Sequence, residues 1–242
     1  PALAAAWWRE NLTQVNLHLF GVGAAAGEDM AKTMAKALAN LPRGKTANPE
    51  RPAVVAAVAP RRVVQAMNTP QAVVILAQRA PEFGGPDHYP RQLLNYIVGG
   101  GDFGSRLMAE LRVKRGLTYG VTSQFDYILN GALWSVDVLT SAPAEAIKLI
   151  REQVDAVRRD GVTAQELQEA KEFLAGSFPL RLDTNAKQLN HLLLLRRYNL
   201  PRDYFDHAVA NINAVTLEQV NRVAKITLQL DQWLEVVVGA VE

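Results

Sequence analysis

The sequence contains no cysteine. That absence excludes disulfides, thiolate nucleophiles and cysteine-rich metal sites, and it leaves cytosol and periplasm equally open as compartments. No apolar run approaches the roughly 20 residues that cross a bilayer, so no transmembrane segment is expected. Charge of one sign is not in marked excess: 26 lysines and arginines stand against 24 aspartates and glutamates, a formal net charge of +2. The two signs are interleaved rather than gathered into blocks, which argues against a nucleic-acid partner. The doublets Arg61-Arg62, Arg158-Arg159 and Arg196-Arg197 are scattered and read as solvated surface.

A metal motif is also missing. His18, His88, His191 and His207 are isolated from one another, and no pair has the three intervening residues of H-x-x-E-H. Each reads as an ordinary core or surface histidine, so no cofactor is expected in this chain.

What is present is a chain of 242 residues with 49% hydrophobic content, long enough for a sizeable core. A single domain over residues 1–242 is expected. The start, Pro1-Ala2-Leu3-Ala4-Ala5-Ala6-Trp7-Trp8, is apolar but short and has no basic opening, so it reads poorly as a signal peptide. A first residue Pro1 fits a processed product or a fragment. Trp7 and Trp8 suit either a neighbouring domain or packing on this one.

Periodicity sets the expected elements. Residues 17–23 form a short apolar run ending in glycines and read as a buried strand, followed by a helix over 28–41 and a proline-bearing extended connection over 45–60. Strands are expected at 61–67 and 72–78, then a helix over 88–98 that ends at the triple glycine. Strands at 118–125 and 132–139 are joined through Asn130-Gly131, a hairpin signal. Helices follow over 144–160, 163–178, 185–197, 204–213 and 216–226, with a last strand at 232–239. The leucines of 189–195 make that helix apolar on nearly all sides, which fits an interface. Hairpins mixed with helices predict an α+β fold, a largely antiparallel sheet covered by helices on one face.

The most informative segment runs from Gly99 to Tyr119. Gly99, Gly100 and Gly101 free the backbone for left-handed conformations and close approach. Asp102 or Ser105 is placed to cap the following helix. At helical spacing Phe103, Leu107 and Leu111 form one stripe, with Arg112 at the border of the buried face. Gly116 ends the helix, and Tyr119 opens a strand with Val121, Ser123 and Phe125 on the same side. Arg112 and Tyr119, seven positions apart, thus converge near the rim of the sheet. A forked guanidinium and a phenol suit a peptide carbonyl or an oxyanion. The same residues also fit a solvated charge at a helix end and a core tyrosine.

The run G-G-G-x-F-x-S-R-L-x-x-E-L-R-x-K-R-G-L-x-Y resembles the second-domain motif of the pitrilysin or insulinase family of zinc metallopeptidases, which includes mitochondrial processing peptidases and paired bacterial peptidase subunits. The opening Trp8-Arg9-Glu10-Asn11-Leu12 and the tail segments Val162 to Leu167 and Val215 to Val220 are similar to that family too. The resemblance implies an α/β roll, usually paired with a like domain around a peptide-binding chamber. It further implies that Arg112 and Tyr119 bind the backbone of an extended peptide substrate and polarise its carbonyl. Gly99, Gly100 and Gly101 would line the substrate, while zinc would sit in a homologous zinc-bearing domain or subunit. Two other readings stay open: a non-catalytic scaffold subunit of a larger assembly with the same fold, and a peptide-binding module that needs no zinc partner.

Overall fold

The computed structural model describes residues 1–46, 61–128 and 131–240. Most of the extended connection expected over 45–60, and Asn130 of the expected hairpin turn, lie outside the described residues. In chain order the elements are α1 (Ala2–Asn11), α2 (Gly27–Ala37), β1 (Arg61–Ala66), β2 (Ala72–Ala80) and α3 (His88–Asn95). A short helix α4 (Arg106–Met108) is followed by β3 (Thr118–Ile128), β4 (Gly131–Thr140), α5 (Pro143–Asp160) and α6 (Ala164–Ser177). The remainder is α7 (Asn185–Arg197), α8 (Ala208–Ala214), α9 (Leu217–Thr227) and β5 (Leu234–Gly239).

The chain divides into two compact units, Pro1–Pro52 with Pro179–Pro201 and Ala53–Phe178 with Arg202–Glu242. In the first unit, α1, α2 and α7 contain no fully buried residue. The leucines of α7 are therefore not core, which leaves the interface expectation for 189–195 standing. The strand expected at 17–23 is absent. Leu17 is extended, with φ −99° and ψ 137°, but its unit offers no strand among the described residues. Without a neighbouring ladder an apolar run cannot become sheet.

The second unit holds a five-stranded sheet in the order β1-β5-β2-β4-β3. β1 runs parallel to β5, and the other neighbours are antiparallel. Period-two alternation explains which face is covered. Val74 and Leu76 of β2, Trp134, Val136 and Val138 of β4, and Val237 of β5 are buried in one core with Leu93, Leu107, Leu111, Ile150, Val154, Val220 and Val223 from the helices. On the opposite face Val73 is 45% and Leu139 48% exposed, and the two pair across β2 and β4. This is the α+β layer expected from the sequence, with helices on one face. Each fully buried Leu, Ile or Val contributes about 1.5–3 kcal/mol, so the helix-facing side of the sheet carries most of the stability.

Candidate functional site

The Gly99–Tyr119 segment links α3, the core and β3, and its residues divide into those that hold it and those left free. α3 continues into a π-wound turn, Tyr96–Gly100. The glycines there serve packing. A Cβ on Gly99 would stand 2.8 Å from Ser123 Oγ and 2.9 Å from Leu107 Cδ1, and one on Gly101 would stand 2.7 Å from the Tyr96 carbonyl oxygen. None of the three has a positive φ, so the left-handed freedom expected of them is not what they supply. The left-handed residue is their neighbour Asp102, with φ 45°, a conformation that aspartate tolerates better than most.

That reversal turns Phe103 outward in a single 3₁₀ turn, Asp102–Gly104. Phe103 is 62% exposed, whereas Leu107 and Leu111 are fully buried. The expected apolar stripe therefore starts at Leu107. Helical spacing does not reach back to Phe103, because the helix begins only at Arg106. Ser105 is the N-cap: its Oγ accepts from Met108 N–H and donates to the Asp102 carbonyl at 2.7 Å.

The helix is then fixed from outside. Arg106 makes a two-pronged pair with Glu166, Nε to Oε1 at 2.6 Å and Nη2 to Oε2 at 2.8 Å, and also donates to the Gly161 carbonyl at 3.2 Å. Glu166 closes the Thr163 capping box of α6 at the same time. Burial pushes the Glu166 carboxyl up, but the bonds from Arg106 and Thr163 outweigh it and hold the group below its ordinary range. Past Met108 the helix widens into a π-wound stretch, Ala109–Lys114. There Glu110 receives Lys114 at 2.9 Å and Arg115 at 3.1 Å, and those bonds hold its carboxyl below the usual range. Gly116 ends the helix at φ +64°, with its N–H on the Arg112 carbonyl at 3.0 Å and Leu117 N–H on the Leu111 carbonyl at 2.9 Å.

Tyr119 departs from the face expected of it. The β3–β4 register slips between Thr118 and Val121, so β3 carries one extra residue there. Thr118 Oγ1 accepts from Gly120 N–H at 3.0 Å and lies 2.7 Å from the Leu139 carbonyl, which ties the bulge down. Val121 and Ser123 remain buried, but Tyr119 is 84% exposed. The bulge has separated it from the alternation that follows.

Arg112 and Tyr119 do meet. The Arg112 guanidinium carbon lies over the Tyr119 ring at 4.3 Å from its centroid, and over the Phe103 ring at 4.5 Å. No carboxylate lies within ion-pair distance of Arg112 among the described residues. Sequence reasoning placed the arginine and the tyrosine together but missed Phe103. The signal available was the glycine-aspartate pair ahead of it, which breaks a helix before Phe103 can join one. Beside the bulge lies a cavity of about 350 Å³, lined among others by Val73, Asp102, Met108, Gly120, Val121 and Leu139.

The histidines do not form a metal centre. Among the described residues no group of three or more His, Asp or Glu could hold a metal ion. His18 Nε2 sits 2.7 Å from Arg196, outside any strand, and His88 is buried in α3, with Nε2 2.9 Å from Gln92. His191 Nδ1 is 2.9 Å from the Lys187 carbonyl oxygen, and His207 precedes α8 rather than lying within it. These donor sets do not fit zinc. Likewise, no helix among the described residues is long and apolar enough to cross a membrane.

Residues 4–174 match the family model described as the peptidase M16 inactive domain. The chain belongs to this family. A crystal structure of a peptidase M16 inactive domain from Pseudomonas fluorescens is 31% identical, with TM-score 0.80, and the match covers 90% of this chain and 52% of that one. Bacillus subtilis has a relative named an uncharacterized zinc protease, YmxG, 31% identical over 171 residues, or 68% of this chain. A Helicobacter pylori relative, 31% identical over 142 residues and 58% of this chain, is named a non-peptidase homolog. The chain spans only 40% and 33% of the lengths of these two curated relatives. The family assignment agrees with the resemblance carried by the glycine-to-tyrosine motif, and the M16 inactive-domain fold accounts for the sheet and its helical cover.

Proposed function

We propose that residues 1–242 act as one domain, the substrate-binding half of an M16 zinc metallopeptidase, with Arg112 and Tyr119 contacting the backbone of an extended peptide. The observation that carries this reading is the state of Arg112: its partners are two exposed aromatic rings, so its N–H donors stay available for a carbonyl or an oxyanion. The Tyr119 phenol, held out by the bulge, adds a single neutral donor. The cavity of about 350 Å³ next to the bulge offers room for a side chain of the same peptide. Gly99, Gly100 and Gly101 contribute by bringing the Phe103 turn close to β3, and through it the surface over which the peptide lies.

Bond cleavage and its zinc belong, on this reading, to a homologous zinc-bearing domain or subunit. This chain's own task is to bind, to orient the scissile carbonyl and to favour the charge that builds on its oxygen. In the complete peptidase, Arg112→Ala is expected to lower kcat/KM about a hundredfold to a thousandfold, as removal of an oxyanion donor does elsewhere. Tyr119→Phe, which keeps the ring and removes the donor, should cost about tenfold or more. Full turnover in both variants would refute the assignment.

One observation favours a second reading, the non-catalytic scaffold: a relative of 31% identity is named a non-peptidase homolog. A scaffold should show no peptide binding on this face, so titrating the assembled protein with a labelled unfolded protein separates the two.

A further inference from the structure

We infer that Phe103 is a positioning residue of the Arg112–Tyr119 site, holding the guanidinium in place without consuming its hydrogen-bond donors; the inference rests on the reading above. Proteins usually fix an arginine with a carboxylate, and this chain does so repeatedly: Arg106 with Glu166, Arg115 with Glu110, Arg62 with Glu235. A carboxylate neutralises the charge and occupies the N–H groups. An aromatic ring attracts the cation through its quadrupole and accepts none of those hydrogen bonds.

At Arg112 the chain uses rings, and the local structure is arranged for it. Glu110, the carboxylate two residues away on the same helix, has one oxygen on Lys114 and the other on Arg115. It is therefore already engaged. Asp102 takes the left-handed backbone conformation that turns Phe103 out to where its ring meets Arg112. A phenylalanine exposed at 62% gains little from burial; its contact with Arg112 gives it a task. The substrate group this suits is a neutral carbonyl or a developing oxyanion, since both need the donors that a resident carboxylate would have taken.

The test compares Phe103→Leu, Phe103→Tyr, Arg112→Ala and the double variant Phe103→Leu/Arg112→Ala, with fluorescence anisotropy of fluorescein-labelled casein as the binding readout. Phe103→Leu keeps apolar bulk and loses the ring, and it should weaken binding about fivefold, the factor that ~1 kcal/mol of cation–π contact represents. Phe103→Tyr should bind as the wild type does, and Phe103→Leu should add nothing once Arg112 is gone. Wild-type binding by Phe103→Leu, or an additive loss in the Arg112→Ala background, overturns the inference. Wild-type binding by Arg112→Ala overturns the underlying reading instead. A second readout is independent of any ligand: the Arg112 Nε–H resonance, displaced by ring currents in the wild type, should move toward its unstructured position in Phe103→Leu and stay in Phe103→Tyr. An unchanged resonance in Phe103→Leu also refutes the inference, even where casein binds too weakly to measure.

Discussion

Two kinds of glycine lie within 20 residues of each other and do different work. Gly101 has no space for a side chain, since a Cβ would meet the Tyr96 carbonyl oxygen at 2.7 Å. Backbone cannot yield as a flexible side chain can, so Gly101→Ala should destabilise by about 1–3 kcal/mol in chemical denaturation. Gly116 has open space around it but a φ of +64°. Gly116→Ala should therefore cost about 1 kcal/mol through conformation alone. Equal and negligible losses in the two variants would contradict both accounts. Arg112 and Tyr119 were legible in the sequence, because seven residues spanning a helix end and a strand start confine two side chains to one rim. Phe103 was not legible. It reads as the first member of a helical stripe unless Asp102 is known to reverse the chain before it.

At the scale of elements, the site depends on a bulge and a cap. Thr118→Val removes the hydroxyl that joins Gly120 N–H and the Leu139 carbonyl, and should cost about 1–2 kcal/mol while releasing the Tyr119 position. Unchanged thermal stability together with an unchanged Tyr119 amide resonance would show that the hydroxyl does not hold the bulge. On the other side, Glu166 both closes a capping box and clasps Arg106. Its folded pKa is depressed, so the stability it lends is complete above the unfolded carboxylate value of about 4.3 and is lost as pH falls through the lower folded value. Melting curves of the wild type between about pH 5 and pH 2 should fall more steeply than those of Glu166→Gln. Parallel curves would remove Glu166 from the acid response. Both β3 and β4 were readable from alternation, but the bulge was not, because only Thr118 and Tyr119 precede it and two residues are too few to show the change of phase it causes. The same limit explains the strand expected at 17–23: apolar content marks a run as sheet-like, and only a partner makes it sheet.

In the larger unit, the helical face of the sheet forms the core, and Val73 and Leu139 pair on the other face, each partly exposed. The donor sets of the histidines suit no metal, so the chain purified from zinc-containing medium should carry far less than stoichiometric zinc by atomic emission; a full equivalent would contradict the separation of binding from hydrolysis. Fold class was the most legible feature of the sequence, since hairpins and helical tails constrain layering without fixing any single contact. Strand order was hidden, because β5 is the last strand in sequence and yet lies between β1 and β2. This order governs how the protein is made. Before residues 234–239 are made, β2 can zip to β4 and β4 to β3, but the other edge of β2 stays bare and β1 has nothing to join. Only when residues 234–239 emerge does one strand satisfy both. Until then β2 presents an unpaired edge to neighbouring chains, and the arrival of β5 is what seals it.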